Sequence, residues 1–186
     1  PPPPTPSGSA SALTSDYTVL SPAANADGGD VVWATYRETQ PLDPIQAFDY
    51  PENTIDPLLC DSLLRQAPDM TIGDGLAKLT TVSPTQFDFE INADATFWDG
   101  SPVTAEDAVF SLERAADPNG GGFYAATFSR VKSIDVTGDK TFSIILSEPD
   151  YWLLGELSAT PGEVVQKKFV EAAGRDFGTV SVGTMC

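Results

Sequence analysis

The sequence predicts a mixed α/β fold, and three stretches carry that expectation. Residues 86–92 (QFDFEIN) alternate cleanly, which puts Phe87, Phe89 and Ile91 on one face of a half-buried strand. Residues 131–136 and 141–146 read as two more strands, joined through Thr137-Gly138-Asp139-Lys140 as a hairpin. Between them the apolar period switches from two to the helical one. Ala105, Ala108, Val109, Leu112 and Ala116 make a single apolar face, with Phe110 off that stripe and free to meet a second surface.

Taken in chain order, the other elements follow from local chemistry. Residues 1–30 are rich in Pro, Ser, Ala, Gly and Thr, a composition that buries too little apolar area to offset chain entropy, and they read as a disordered tether. Residues 31–36 (VVWATY) form a short apolar run without alternation, suited to a strand buried on both faces. The loop after it, residues 37–44 (RETQPLDP), lies where open α/β sheets bind ligands. A helix is expected over residues 54–64, opening near Asp56-Pro57 because proline is harmless in a first turn. Residues 69–79 read as a connection centred on Gly73-Asp74-Gly75. Past the hairpin, Glu148-Pro149 ends the strand, residues 151–157 form a short helix, and residues 163–173 form another with Gly174 as its C-cap. Lys167 and Lys168 solvate that last helix. No internal repeat is present.

Residues 97–119 (FWDGSPVTAEDAVFSLERAADPN) are the densest run of signals. Asp99-Gly100 is a turn dipeptide. Thr104 and Asp107 have the spacing of a capping box, and Glu106 and Asp107 put negative charge at the positive end of the helix. Asp117-Pro118 stops the helix, since the residue before proline disfavours the α region. Cap and turn roles account for Asp99, Glu106 and Asp107 without any catalysis. Trp98 reads as a packed or edge aromatic. Gly120-Gly121-Gly122 reads as a mobile loop tip, because no strand–helix context makes it a phosphate cradle.

Composition removes whole classes of function. Acids outnumber bases 27 to 10 over 186 residues, a net charge of −17 that repels nucleic acid and anionic lipid. The better account of that charge is a well-hydrated acidic surface. The chain has no histidine, and it lacks a G-x-S-x-G motif and any metal-ligand spacing, which argues against an enzyme or a cofactor site. No apolar run is long enough to span a bilayer. The two cysteines, Cys60 and Cys186, fit either one disulfide or two separate thiols, one buried in a helix and one at the terminus.

The 97–119 run resembles a family signature, that of extracytoplasmic solute-binding proteins of the peptide/nickel class that feed ABC importers. The family pattern is close to F-x-D-G-x-P-x-T-A-x-D-V-x-F-S-x-x-R followed by D-P. This chain keeps Phe97, Asp99, Gly100, Pro102, Thr104, Ala105, Asp107, Phe110, Ser111, Arg114, Asp117 and Pro118, and departs with Trp98 and Ala108. Glu38, Leu42, Asp43 and Pro44 are similar to the family's early Glu-x-x-x-Leu-Asp-Pro segment, and Val182-Gly183-Thr184 approaches its V-G-T-G-P-Y phrase.

The resemblance implies a periplasmic-binding-protein type II-like fold, here the N-terminal part of a multi-lobe, cluster-C-type binder. Residues 31–50 would start the first ligand-binding lobe, 51–180 would form an accessory α/β domain, and 181–186 would return toward the lobe. It implies capture of oligopeptides or dipeptides for a membrane permease, with a nickel complex, haem or oligosaccharide as other cargoes, or a truncated interaction module that binds nothing. It also implies an extracytoplasmic monomer with no cofactor, lipid-anchored upstream of Pro1. With the lobes incomplete at Cys186, peptide binding by residues 1–186 alone is expected to be weak or absent. Candidate contacts are Arg37, Glu38 and Thr39 after the first strand, each of which also fits a solvated loop. Tyr124 and Thr127 follow the motif helix, where core packing is the stronger alternative.

Overall fold

The computed structural model describes residues 28–30, 32–39 and 41–186. The chain divides into two units, Pro1–Trp33 and Ala34–Cys186. In the first unit the described residues form no helix or strand. Most of the expected tether, residues 1–27, lies outside the described residues.

The second unit is built on a four-stranded antiparallel sheet in the order β3-β4-β6-β5, with β3 at Ala77–Ser83, β4 at Gln86–Ile91, β5 at Val131–Val136 and β6 at Thr141–Leu146. A separate ribbon pairs β1 (Leu64–Gln66) with β2 (Ile72–Asp74). The helices are α1 (Tyr50–Leu59), α2 (Ala105–Ala116), the short α3 (Leu153–Glu156) and α4 (Lys167–Ala173). Alternation in β4 and β6 puts Phe87, Phe89, Ile91, Phe142, Ile144 and Leu146 on one buried face. Phe89 and Phe142 are paired across the strands and their rings stack at 4.9 Å. α2 closes that face with Ala105, Ala108, Val109, Leu112 and Ala115. Phe110, off the stripe, packs with Val165, Val170 and Phe177 in a second, smaller cluster.

The capping box forms as its spacing predicts: Thr104 Oγ1 accepts from the Asp107 amide at 3.3 Å, and the Thr104 amide donates to Asp107 Oδ2 at 3.0 Å. Asp107 Oδ1 also accepts from the Lys167 amide at 3.0 Å, and Ser111 Oγ accepts from the Val165 amide at 3.0 Å. These two buried polar side chains hold Val165 and Gln166 out of the helix and against α2. That is why the last helix begins at Lys167 and not at the expected position 163.

Other differences have similar causes. Residues 32–36 form no strand, and Val32, Trp33 and Tyr36 are exposed. A strand buried on both faces needs neighbours to pair with, and no described segment pairs with this one. α1 starts at Tyr50, with Asp49 as N-cap and Pro51 in its first turn, and Pro57 lies inside it. Cys60 is the C-cap rather than a helical residue, and Leu64 belongs to β1. The expected connection over residues 69–79 contains β2 and the start of β3. The glycine run is no free tip, since the Phe123 amide donates to the Ile45 carbonyl at 2.9 Å and a Cβ on Gly122 would meet that same oxygen at 2.9 Å.

Candidate functional site

The segment leading into α1 carries three of the candidate contacts. Arg37 is held bidentately by Glu52, at 2.7 Å from each carboxylate oxygen, and reaches Asp49 at 3.2 Å. The Glu52 bond, first among its partners, raises the Arg37 pKa. The Tyr36 hydroxyl donates to Asp49, and that bond with the Tyr50 amide holds the Asp49 carboxyl below the usual range. Arg37 is therefore a strut between this loop and α1. Glu38 is exposed beside it, contributing its backbone carbonyl to Arg37 at 3.1 Å, and Thr39 is half-buried.

A few residues on, the Leu-Asp-Pro stretch is locked in place. Asp43 is 3% exposed and receives both arms of Arg114, at 2.8 and 3.3 Å. Arg114 lies 5.9 Å from the Phe110 ring centre and 5.3 Å from that of Phe177. The Leu42 amide donates to the Gly178 carbonyl at 2.7 Å. Gly178 has φ +77°, and a Cβ there would meet Asp43 at 2.7 Å, so the two backbones touch because one is glycine.

Tyr124 donates its hydroxyl to the Ala47 carbonyl, and burial, then the nearby Glu163 and Asp56 carboxyls, push its pKa up to about 12. Phe123 and Phe48 beside it remain 58% and 72% exposed, with ring centres 5.0 Å apart. Thr127 lines a different hollow of about 180 Å³ with Arg130, Asp150, Trp152 and Glu156. The fold thus ties Arg37 to α1 and Tyr124 to the far end of the same loop, while Thr127 faces elsewhere.

Cys60 and Cys186 are joined in a disulfide with Cα atoms 4.9 Å apart. Around it the Trp98 amide donates to the Cys186 carbonyl at 3.0 Å, the Gln166 amide to the Met185 carbonyl at 2.8 Å, and the Trp98 indole to the Leu59 carbonyl at 3.0 Å. A hollow of about 460 Å³ lies there, walled by Pro57, Leu59, Cys60, Phe97, Trp98 and Cys186. Asp99 accepts from the amide and hydroxyl of Ser101 and from Gln166, and these bonds, the Ser101 hydroxyl first, bring its pKa down to about 2.

Sequence reasoning missed one group of residues. Asp56 and Glu163 are 1% and 3% exposed, and none of their four carboxylate oxygens has a hydrogen-bond partner. Burial, then Glu52 and Asp43, raise Asp56 to about 7; burial, then Asp56 and Asp61, raise Glu163 to about 9. The acid at position 163, set between Gly162 and Val164-Val165, was the available signal. Among the described residues no group of three or more His, Cys, Asp or Glu side chains is placed to hold a metal, and no helix is long and apolar enough to cross a membrane.

Residues 71–184 match the family described as "Bacterial extracellular solute-binding proteins, family 5 Middle". Over 173 residues the chain is 32% identical to the periplasmic oligopeptide-binding protein OppA of Salmonella typhimurium, covering 80% of this chain and 31% of that protein. Among solved structures, OppA of Burkholderia pseudomallei superposes with a TM-score of 0.66 at 25% identity, covering 72% of this chain and 30% of that one. MoaA from Agrobacterium tumefaciens R10, solved with mannopinic acid, gives 0.71 at 27% identity, covering 77% and 31%. The chain spans about a third of the length of the curated relatives it matches.

Proposed function

Since the chain belongs to the family 5 bacterial extracellular solute-binding proteins, we propose that it is part of the extracytoplasmic substrate-binding component of an ABC importer, one that captures oligopeptides or dipeptides for delivery to a membrane permease. The observation that carries this reading is the 32% identity to an oligopeptide-binding protein across 80% of the chain. The reading involves no bond chemistry. Capture, closure of lobes over the ligand and delivery are its steps, and closure supplies affinity by excluding water from the ligand's polar groups. Residues 31–50 begin a ligand-binding lobe in this reading, 51–180 form the accessory domain, and 181–186 lead back. Its site is extracytoplasmic, with a lipid anchor upstream and a monomeric state as further parts of the proposal.

Two features support a scaffold role for Arg114 of the 97–119 run and for Arg37. Arg114 and Gly178 hold Asp43, and Arg37 is committed to Glu52. Both sets of contacts fix the loop that presents Glu38 and Thr39. Glu38, exposed and next to a rigid strut, is the acid best placed to meet a peptide ammonium. A second reading, the same fold with a small sugar-derived acid as cargo, is favoured by the likeness to the mannopinic acid binder.

The test is a titration of the 186-residue chain, followed by amide NMR, with a tripeptide pool and separately with mannopinic acid. The peptide reading expects weak, saturable shifts at Arg37, Glu38 and Thr39, lost in Glu38→Ala. Shifts at those positions with mannopinic acid alone, or peptide shifts confined to residues outside 37–39, would overturn it.

A further inference from the structure

We propose that Asp56 and Glu163 act as a pH-sensitive latch: as neutral carboxylic acids they let α1 pack on the Thr160–Gly162 turn, and their ionisation opens that contact. The inference stands on burial and on partners, and it does not depend on the cargo. Both side chains are closed off from solvent, and all four oxygens lack hydrogen bonds. A neutral buried carboxyl without a partner is costly, and an ionised one in the same place costs far more.

The surroundings offer no compensating charge. α1 brings Glu52 toward Asp56, and the segment before Pro44–Gln46 brings Asp43. Asp61 faces Glu163, and Tyr124 stands beside both acids, with Glu156 behind it. The two neighbouring bases are taken, Arg37 by Glu52 and Asp49, and Arg114 by Asp43. Among the described residues, the other groups that act on the pair are acids and a tyrosine, so ionisation adds negative charge to a negative site.

The contact that would open is a definite one. Thr160 Oγ1 donates to Asn53 Oδ1 at 3.2 Å across the α1–turn boundary. Just beyond, the Leu63 amide donates to the Gly162 carbonyl at 2.9 Å and the Val164 amide to the Asp61 carbonyl at 3.2 Å. Glu163 lies in the middle of this stitching, bridged to Ser62. Relief of charge therefore comes most directly by parting α1 and residues 61–64 from residues 160–164.

The sign follows from proton counting. Both folded-state pKa values are raised above the ordinary values near 4, so the folded chain holds more protons than the unfolded chain over the window between them. Stability is then fullest below about pH 4 for these two groups, and is lost as pH rises through about 7 for Asp56 and about 9 for Glu163. The window is clear of the usual contributors. The chain has no histidine and both cysteines are in the disulfide, so neither an imidazole nor a thiol contributes there.

The experiment uses the whole 186-residue chain. Its melting temperature is expected to fall by roughly 5 °C or more between about pH 5.5 and about pH 8.5. Glu163→Gln, which keeps the shape of the neutral acid, should flatten that slope, and Asp56→Asn should do so in part. Amide exchange at Leu63 and Val164, corrected for intrinsic rate, should speed up at the higher pH ahead of the α2 amides. A flat or rising wild-type profile would overturn the proposal, as would an unchanged slope in Glu163→Gln or uniform exchange across the unit. Should the variants not fold, carbon-13 carboxyl titration of the wild type decides it: midpoints near 4 for both acids sink the latch.

Discussion

Arg114 illustrates how one side chain binds distant parts of the sequence. Its fork meets Asp43, 71 positions earlier, while its flat face lies near Phe110 and Phe177. Arg114→Ala would leave the Asp43 carboxylate buried with no counter-charge, so a loss of about 3 kcal/mol is expected in urea unfolding. Arg114→Lys should recover only part of it, because an ammonium cannot make the bidentate contact. A loss below about 0.5 kcal/mol for the alanine variant would refute the account. Gly178→Ala is expected to be comparably damaging, about 2 kcal/mol, since it meets both an unfavourable positive φ and the Asp43 backbone at 2.7 Å. Neither partnership is visible from spacing. Asp43 and Arg114 could be singled out as resembling family positions, but nothing local says that they touch.

Among the elements, α2 is the one whose sequence says most. Its cap, apolar stripe and stop all lie within one turn of the residues they act on, so short-range chemistry determines them. Thr104→Ala should cost about 1 kcal/mol, the ordinary worth of an N-cap. Asp107→Ala should cost more than Thr104→Ala, because Asp107 both closes the capping box and receives the Lys167 amide. Equal melting temperatures for the two variants would mean that the second bond is idle. α1 shows the opposite case. The sequence alone points to a start near Asp56-Pro57, yet Pro51 sits equally well in a first turn. Asp49 capping the Tyr50 amide, together with the Arg37–Glu52 ion pair, selects the earlier start and leaves Pro57 inside the helix. β3 is illegible in the sequence for a different reason: it is mostly exposed, so its residues carry no alternation to read, although Thr80, Thr81 and Val82 are β-branched.

At the level of the whole molecule, the Cys60–Cys186 bond spans 126 residues. Loop entropy gives such a link a ceiling of about 5 kcal/mol. Reduction is expected to lower the urea midpoint of the folded chain markedly, and matched midpoints with and without reductant would show that the link is thermodynamically silent. The pH profile of stability is expected to be a dome on the acid side of neutrality. Asp99, Asp49, Asp69 and Asp150 are depressed by hydrogen bonds, so their contributions, small for the solvent-accessible Asp99, Asp49 and Asp69, are present above the ordinary carboxyl range and fade as pH falls through their folded values. Asp56 and Glu163 act in the other direction, and the maximum should fall at about pH 5. The sequence by itself determined the mixed α/β class, the β5–β6 hairpin, the capped α2 and the family likeness, because turns, caps and side-chain periodicity are settled within a few residues. Only the tertiary structure decided that Arg37 is a strut, that Asp43 pairs with Arg114, that the two cysteines join, and that Asp56 and Glu163 are closed away from water. Those outcomes depend on which distant backbones meet and on what burial does to a charge, and no short-range pattern encodes either.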